Sequence, residues 1–550
     1  MVGRQLAIPV VLLAMSWAGV PGTVGAASPS PADSVEKTGD SEFGIVKLSS
    51  LEERVAPAPA ACAPTCGPKK ACAAQPACDD PTCDGGCDGL LDRLLTPADG
   101  LKNIPVDFGL EILEGSTLSY GGQLRLRLMD EADRLRPGGP ARSAYELWRW
   151  RNWLDFRVRD VAGIYIEMID ASQFGEEVPI TPIDDNRWDI QNFYLDVSLL
   201  QRDNKPVTLR MGRMTLNYGS YRFLSALDWA NTRRNFEGFQ LMSPGDTWDI
   251  DGFIAQPVNT AMFWNPAALG GESPVARFKN RPDRADHTRT LSGLYTVYKG
   301  IENHLFDLYW LWLETDNAFD AATGAGSVGG DRHTFAIRWR TDPKIYDECG
   351  RVRMAWHFEA EGGFQVGKDN RTIGGVTARR DVRAGFFTTT INVAFPQVLW
   401  KPKLQFMYWW GSGDDDPTDN VDQTLSTLWS FAHFYWGILD NFNGQNLSNV
   451  SLQCNLKPTD KLTLVTQMHW FDLSSNSDVL YNVAGVPVGT AGTGAEAGEE
   501  LDLIATYAIR KNLKVQLGYS WFWYGSYITN NPALNRPDAR QFYLQTVWNY

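Results

Sequence analysis

Nine arginines occur in runs where charged and apolar residues alternate, and they define the chemistry that the sequence offers. They are Arg125, Arg127, Arg157, Arg159, Arg210, Arg338, Arg340, Arg351 and Arg353. Successive side chains of a strand point to opposite faces, so each arginine lies opposite an apolar stripe. A guanidinium presents a planar fork of donors that fits a carboxylate, and a ladder of weak forks can pass a polyanion along. The alternative is that these arginines pair with acidic side chains and keep a wall polar and rigid.

The elements that carry these arginines are runs of about ten residues with period 2, which recur from residue 118 to residue 550. In the first run Leu124, Leu126 and Leu128 share one face, and Gln123 lies with two of the arginines on the other. An arginine held against lipid at mid-depth costs about 2–4 kcal/mol. The pattern therefore predicts an all-β, transmembrane sheet with lipid on one face and water on the other. The 21 Trp and 19 Tyr cluster near the ends of the runs, as membrane interfaces favour.

The links between these runs alternate between long and short. Long links fall near residues 130–144, 172–188, 216–235, 258–289, 315–331, 363–381, 411–445, 472–499 and 524–538. Short links fall near residues 159–162, 200–205, 243–248, 299–303, 341–350, 395–401, 457–460 and 509–512. Long loops at one end and short turns at the other are typical of outer-membrane barrels. The links predict an antiparallel β-barrel of 18 strands over residues 118–550, with 16 strands as the fallback.

The third long link, residues 216–235, is too aromatic for a solvent loop. We expect it to fold into the barrel as a constriction that brings Arg222, Arg233 and Arg234 near the path, with Arg213 just before it. Asp228 would then pair with an arginine or cap the turn. The alternative is a structural plug or packing at the rim.

The N-terminal 117 residues have a different character. Residues 1–26, with Arg4 before an apolar run and small residues at the end, predict a cleaved signal peptide. Residues 27–117 predict a largely disordered periplasmic linker rich in Pro, Ala and Cys. Its six cysteines, Cys62, Cys66, Cys72, Cys78, Cys83 and Cys87, suggest disulfides in an exported chain, and their spacing fits no familiar zinc pattern.

Charge and histidine content exclude other classes of function. The formal charge is −14, and residues 101–550 alone carry 53 acidic and 44 basic groups, which argues against a nucleic-acid partner. The six histidines are scattered without a partnered Ser or Asp motif, so we predict no catalytic residues and no enzyme. The run Asp414–Asp416 offers oxygen ligands for Ca²⁺, but a solvated surface is the better interpretation. We predict no metal site and no cofactor.

Several separated motifs together resemble the alginate export family of outer-membrane porins. The motifs are QNFYLD at 191–196, GR at 212–213, YG at 218–219, LDWANTR at 227–233, FEG at 236–238, GSGDDDP at 411–417, HFYWG at 433–437, QNL at 445–447, LKPTDKL at 456–462 and ELDL at 500–503. The resemblance covers residues 118–550, whereas the cysteine-rich segment departs from it. It implies a monomeric 18-stranded barrel in the cell outer membrane that passes an anionic polysaccharide by passive diffusion.

The resemblance and the residues together define the expected partners. They are outer-membrane lipid, an anionic, alginate-like uronate polysaccharide, and the barrel-assembly machinery, which would read the terminal strand RQFYLQTVWNY. Two alternatives are a general or substrate-selective porin for small solutes and a structural or adhesive surface barrel. Polymer identity and transport direction are not encoded in any motif.

Overall fold

The computed structural model of the protein describes residues 104–106, 114–136, 141–177, 181, 183–260, 283–316, 319–320, 325–326, 329–373 and 376–550. The predicted signal peptide at 1–26 and the cysteines at 62–87 lie outside these residues. Helix in the described part is limited to two short segments, α1 (Ala432–Tyr435) and α2 (Ser526–Thr529). Neither is long or apolar enough to cross a membrane.

Eighteen strands form the wall of the molecule. They are β1 (Ser116–Ala132), β2 (Arg142–Val158), β3 (Ala162–Phe174), β4 (Asn186–Arg202), β5 (Lys205–Met214), β6 (Phe236–Ser243), β7 (Trp248–Asn259), β8 (Arg289–Tyr298), β9 (His304–Thr315), β10 (Gly330–Thr341), β11 (Val352–Ile373), β12 (Val376–Ala394), β13 (Lys403–Gly411), β14 (Leu447–Leu456), β15 (Leu462–Leu473), β16 (Glu496–Arg510), β17 (Leu513–Tyr524) and β18 (Ala539–Asn549). Each strand pairs antiparallel with the next, and β1 pairs with β18 from Gln123 opposite Asn549 to Ala132 opposite Arg540. The sheet therefore closes, and the predicted antiparallel barrel of 18 strands is confirmed.

Shorter strands lie outside this wall. They are Ile104–Val106, Arg284–Ala285, Phe319–Asp320, Ala325–Gly326, Lys344–Tyr346, Val421–Asp422, Leu480–Tyr481 and Pro487–Val488. Ile104–Val106 pairs with the start of β1, from Ser116 to Leu118. The barrel wall therefore begins two residues before the predicted boundary, and together with Ile104–Val106 the sheet includes five residues of the predicted linker.

The alternation of long and short links is present, with one exception. The link predicted near residues 363–381 is instead a long hairpin, because β11 continues to Ile373 and β12 begins at Val376. Its charged residues pair across the strands, as Lys368 opposite Asp381 does. A strand that extends beyond the bilayer needs no apolar face, so the loss of alternation did not mark the end of the strand.

Burial separates the two faces of the wall as the alternation predicts. Leu128, Leu308 and Ile337 are 47%, 43% and 51% exposed on the outer face, whereas Arg125 and Arg149 are 2% and 0% exposed inside. A one-residue slip would move every buried charge into lipid, so the charges fix the register.

Aromatic side chains form two bands on the outer face of β8–β11. Near the short-turn end Phe306 stacks on Trp339, whose indole Nε1 donates to His304 Nδ1 over 2.9 Å. Toward the other end, Trp310 donates to His333 Nδ1 over 3.2 Å. Aromatic bands of this kind on a lipid-facing surface are typical of membrane interfaces. Not every aromatic residue near a strand end belongs to such a band, since Trp409, two residues from the end of β13, is fully buried inside the barrel.

Two long links fold into the interior at the long-loop end. We name residues 215–235 the first inner loop and residues 412–446 the second inner loop. Phe223 and Leu224 of the first share a buried cluster with Leu425, Trp436 and Leu439 of the second. The apolar core of this protein therefore lies inside the barrel, between the loops and the wall.

The orientation of Leu308 gives a direct test of the lipid-facing wall. Leu308 lies on the outer face between the two aromatic bands, so Leu308→Arg should lower the free energy of unfolding by about 2–4 kcal/mol. Urea titration in lipid vesicles measures this change. Leu399→Arg introduces the same charge at an 82% exposed position of the short turn between β12 and β13 and should change little. Equal effects of the two substitutions would contradict the assigned membrane face.

Candidate functional site

The first inner loop is held by arginines of the wall that bind its backbone. Arg125 Nη1 donates to the carbonyl oxygen of Asp228 over 2.7 Å, and its Nη2 donates to that of Ala230 over 2.5 Å. Arg149 Nη1 donates to the same Asp228 carbonyl over 2.9 Å. Leu227, with φ of +53°, turns the chain just before these carbonyls. The forks of Arg125 and Arg149 are therefore occupied by the protein itself.

The side chain of Asp228 joins the loop to a second group of charges. Asp228 Oδ1 lies 2.8 Å from Arg233 Nε and 3.6 Å from Arg151 Nη1. Arg151 Nε in turn donates to Glu167 Oε1 over 2.6 Å. Acids and bases alternate through this buried network, so each charge is compensated by a neighbour.

A third buried network anchors the start of the loop on the other side of the barrel. Arg222 Nη1 lies 2.5 Å from carboxylate oxygens of both Glu359 and Glu361. Arg338 Nη1 lies 2.8 Å from Glu359 Oε2, and its Nη2 also contacts Asp307. The loop thus bridges the lumen, from β1 and β2 on one side to β10 and β11 on the other.

The second inner loop packs directly against the first. Trp429 N donates to the Phe223 carbonyl over 2.9 Å, and the Trp429 carbonyl accepts from Ser225 N over 3.0 Å. Arg234 Nη1 donates to the Ser430 carbonyl over 2.6 Å. This inward fold was not predicted from the sequence. The apolar run FAHFYWG at 431–437 was the available signal, since it is as unsuited to water as the first loop.

An aromatic stack joins both loops to the wall. The ring of Trp229 lies between the guanidinium of Arg127, 3.6 Å from the ring centroid, and the imidazole of His433 at 3.8 Å. Tyr543 of β18 meets the same indole edge-on at 5.1 Å. Burial lowers the pKa of His433, although Asp440 Oδ2 lies 3.0 Å from its Nδ1. The imidazole therefore remains neutral at neutral pH, which leaves Arg127 as the cation of the stack.

The acidic run Asp414–Asp416 divides between interior and surface. Asp414 is fully buried, and its backbone N donates to Asp478 Oδ2 over 3.1 Å. Asp416 is exposed, and its Oδ1 accepts from Thr418 Oγ1 over 2.5 Å. The expectation of a solvated surface is thus wrong for Asp414, which helps to fix the second inner loop.

Three of the predicted path arginines lie away from the lumen. Arg159 stands in a short turn with φ of +49° and donates to the Glu114 carbonyl. Arg351 is exposed in another short turn, paired with Asp347 at 2.9 Å. Arg213 shares a side of β5 with Met211, opposite to Arg210, and pairs with Glu237 at 2.6 Å. Both residues stand at the predicted edge of a short link, near 159–162 and 341–350, and the strands end one residue before Arg159 and begin one residue after Arg351.

The arginines that remain inside the short-turn half of the barrel are mostly neutralised. Arg157 Nη1 and Arg210 Nε both lie 2.8 Å from the carboxylate of Asp196. Arg340 Nε lies 3.5 Å from Asp342 Oδ2. These contacts favour the alternative in which lumen arginines pair with lumen acids.

Two cations at the short-turn mouth are different. Lys403 is half-buried on the lumen side of β13, and Arg353 is exposed near the start of β11, where the register with Ile345 and Tyr346 shifts. Among the described residues, neither has a carboxylate within 4.0 Å. Lys403 was not among the predicted path residues, although it follows the predicted short link at 395–401. These two side chains keep their donors available to a ligand.

The Arg222 network predicts a coupling between stability and channel width. Arg222→Met would leave Glu359 and Glu361 with Arg338 as their nearest remaining cation. Removing one member of a buried ion pair costs about 3–5 kcal/mol. We expect a loss of that order in urea unfolding and a larger single-channel conductance, since the loop loses an anchor.

The exposed pair of Arg142 and Asp130, 2.6 Å apart, supplies the matched control. Arg142→Met should change stability by less than about 1 kcal/mol and leave conductance unaltered. Unchanged conductance in a folded Arg222→Met barrel would contradict the anchoring role.

Comparison with known proteins agrees with this architecture. The sequence matches the alginate export family over residues 116–263 and 270–541. OccAB1 from Acinetobacter baumannii has 9% identity and a TM-score of 0.51, with 80% of this chain and 97% of that chain covered. OccK8 (OprE) from Pseudomonas aeruginosa has 10% identity and a TM-score of 0.50, with 79% and 98% covered. No curated protein matches the sequence. The protein is an outer-membrane channel barrel that belongs to the alginate export family.

Proposed function

We propose that this channel passes a carboxylate-bearing polysaccharide, which first meets Arg353 and Lys403 at the periplasmic mouth. The observation that carries the proposal is that, among the described residues, these two cations form no ion pair within 4.0 Å, in a barrel where most lumen arginines do; Asp342 acts on Lys403 only at longer range. Short turns mark the periplasmic end, so both cations lie where a polymer from the periplasm would enter. Family membership supports the same class of solute.

Selection of the solute by charge is confined to the mouth of the channel. Four buried arginines hold the inner loops and are not available to bind a polyanion in succession; they are Arg125, Arg149, Arg222 and Arg338. A channel must bind its solute strongly enough to admit it and weakly enough to release it. Two free cations at the mouth satisfy that condition better than a continuous row of arginines would.

The pairing of the deeper arginines also favours a second candidate, a selective porin for small solutes. Such a channel would need a polar wall without a polyanion track. The two candidates differ in how a charged oligosaccharide affects the current.

Planar bilayer recordings with an oligouronate on the periplasmic side test the proposal. We expect the wild-type channel to prefer anions and to be blocked by the oligouronate. The double variant Arg353→Ala/Lys403→Ala should need at least a tenfold higher concentration for half-block, because both entry cations are gone.

Arg351→Ala/Lys401→Ala is the matched control, since it removes the same two charge types two residues away in the adjoining turns. Lys401 lies 3.4 Å from Asp460, and its side chain is half exposed. The control should block like the wild type. Equal block in all three channels would reject the entry role, and an unblocked wild-type channel would favour the small-solute porin.

A further inference from the structure

The inward face of β12–β15 differs in composition from the strands that carry the buried charged networks. In the periplasmic half of β12–β15, four inward positions carry neutral amides, namely Asn392, Gln405, Gln453 and Gln467. They are direct cross-strand neighbours, because Asn392 pairs with Gln405, Gln405 with Gln453, and Gln453 with Gln467. We name these four residues the amide row. Adjacent strands lie about 4.8 Å apart, so the row repeats one amide at each such step around the wall.

The amide row climbs from the mouth towards the loops. Asn392 and Gln405 each lie two residues from the periplasmic end of their strand, whereas Gln467 lies five residues from the start of β15. Lys403, one of the two entry cations, lies two residues below Gln405. At the upper end Gln467 contacts His469, which bonds Asn449, and Asn449 Nδ2 donates to the Tyr435 carbonyl of the second inner loop over 3.0 Å.

Much of the hydrogen-bonding capacity of the row is unused. Each primary amide has two donors and an oxygen with two lone pairs. Gln405 Nε2 lies 3.5 Å from Gln453 Oε1, at the limit of a hydrogen bond, and Gln453 Nε2 donates to Asn455 Oδ1 over 2.9 Å. Asn392 is 94% buried, and its Oδ1 has no partner among the described residues. Ser451, inward on β14 like Gln453, also has an unpartnered Oγ within that part of the chain.

We propose that the amide row is a binding track for the hydroxyl groups of a glycan. A sugar hydroxyl both donates and accepts, as a primary amide does, so the two groups match without any charge. Repeated neutral contacts are individually weak, which allows a chain to move from one to the next. This track rests on the proposed channel function, but it recognises hydroxyls and not carboxylates.

The entry cations and the amide row recognise different chemical groups of a polymer. The entry cations respond to the carboxylates of a polymer, whereas the amide row responds to its sugar rings whether or not they are charged. The track therefore predicts that an uncharged oligosaccharide also binds in the lumen.

The test compares two probes of equal length, maltohexaose and a hexauronate, by current block in planar bilayers. Gln405→Met/Gln453→Met keeps side-chain length and removes the amide groups. We expect it to raise the half-blocking concentration of both probes at least tenfold, without changing the preference for chloride over potassium. Gln201→Met, at an exposed position near the end of β4, should behave like the wild type.

The outcomes separate this inference from the proposed function. If the Met double variant, shown by urea unfolding to be folded, blocks like the wild type with maltohexaose, the track is rejected. The same holds if maltohexaose does not block the wild-type channel. If the entry-cation variant leaves hexauronate block unchanged while the Met variant weakens maltohexaose block, the entry role fails and the amide row stands.

Discussion

The structure depends on arginines of the wall that bind the backbone of a loop inside the barrel. Arg125 and Arg149 donate to the same carbonyl of Asp228, and this contact holds the first inner loop inside the barrel. A buried guanidinium is unfavourable unless its donors are satisfied, and a loop turn presents carbonyls that can satisfy them. Loop and wall therefore require each other, since either alone would leave buried polar groups without partners.

This requirement changes how the charges of the lumen should be understood. A barrel rich in inward arginines suggests an anion path, but most of these arginines bind acids or loop carbonyls. Arg222 and Arg338, for example, share Glu359 between them. The groups left for solute are those at the mouth and the neutral side of the wall. In this protein the strongest charges build the narrowing, and weaker, less conspicuous groups are available for recognition.

The sequence predicts the wall much better than the interior. Period-2 alternation and loop length are local properties, so they identify 18 strands and the inward face that carries Arg125 and Arg127. The inward fold of the first inner loop follows from its aromatic residues. Arg213 lies three residues from Arg210, so alternation itself puts it on the opposite side of β5, where it pairs with Glu237. The second inner loop and the amide row depend on which strands become neighbours, and one strand's sequence does not contain that information.

The backbone hydrogen bonds between the two inner loops have a mechanical consequence. Because Trp429 is bonded to both Phe223 and Ser225, neither loop can leave the lumen alone without breaking a short parallel bridge. The two loops are therefore coupled to each other, and anchors on opposite sides of the barrel hold them in place. We therefore expect the lumen to widen only when the anchors on both sides of the barrel release the two loops together.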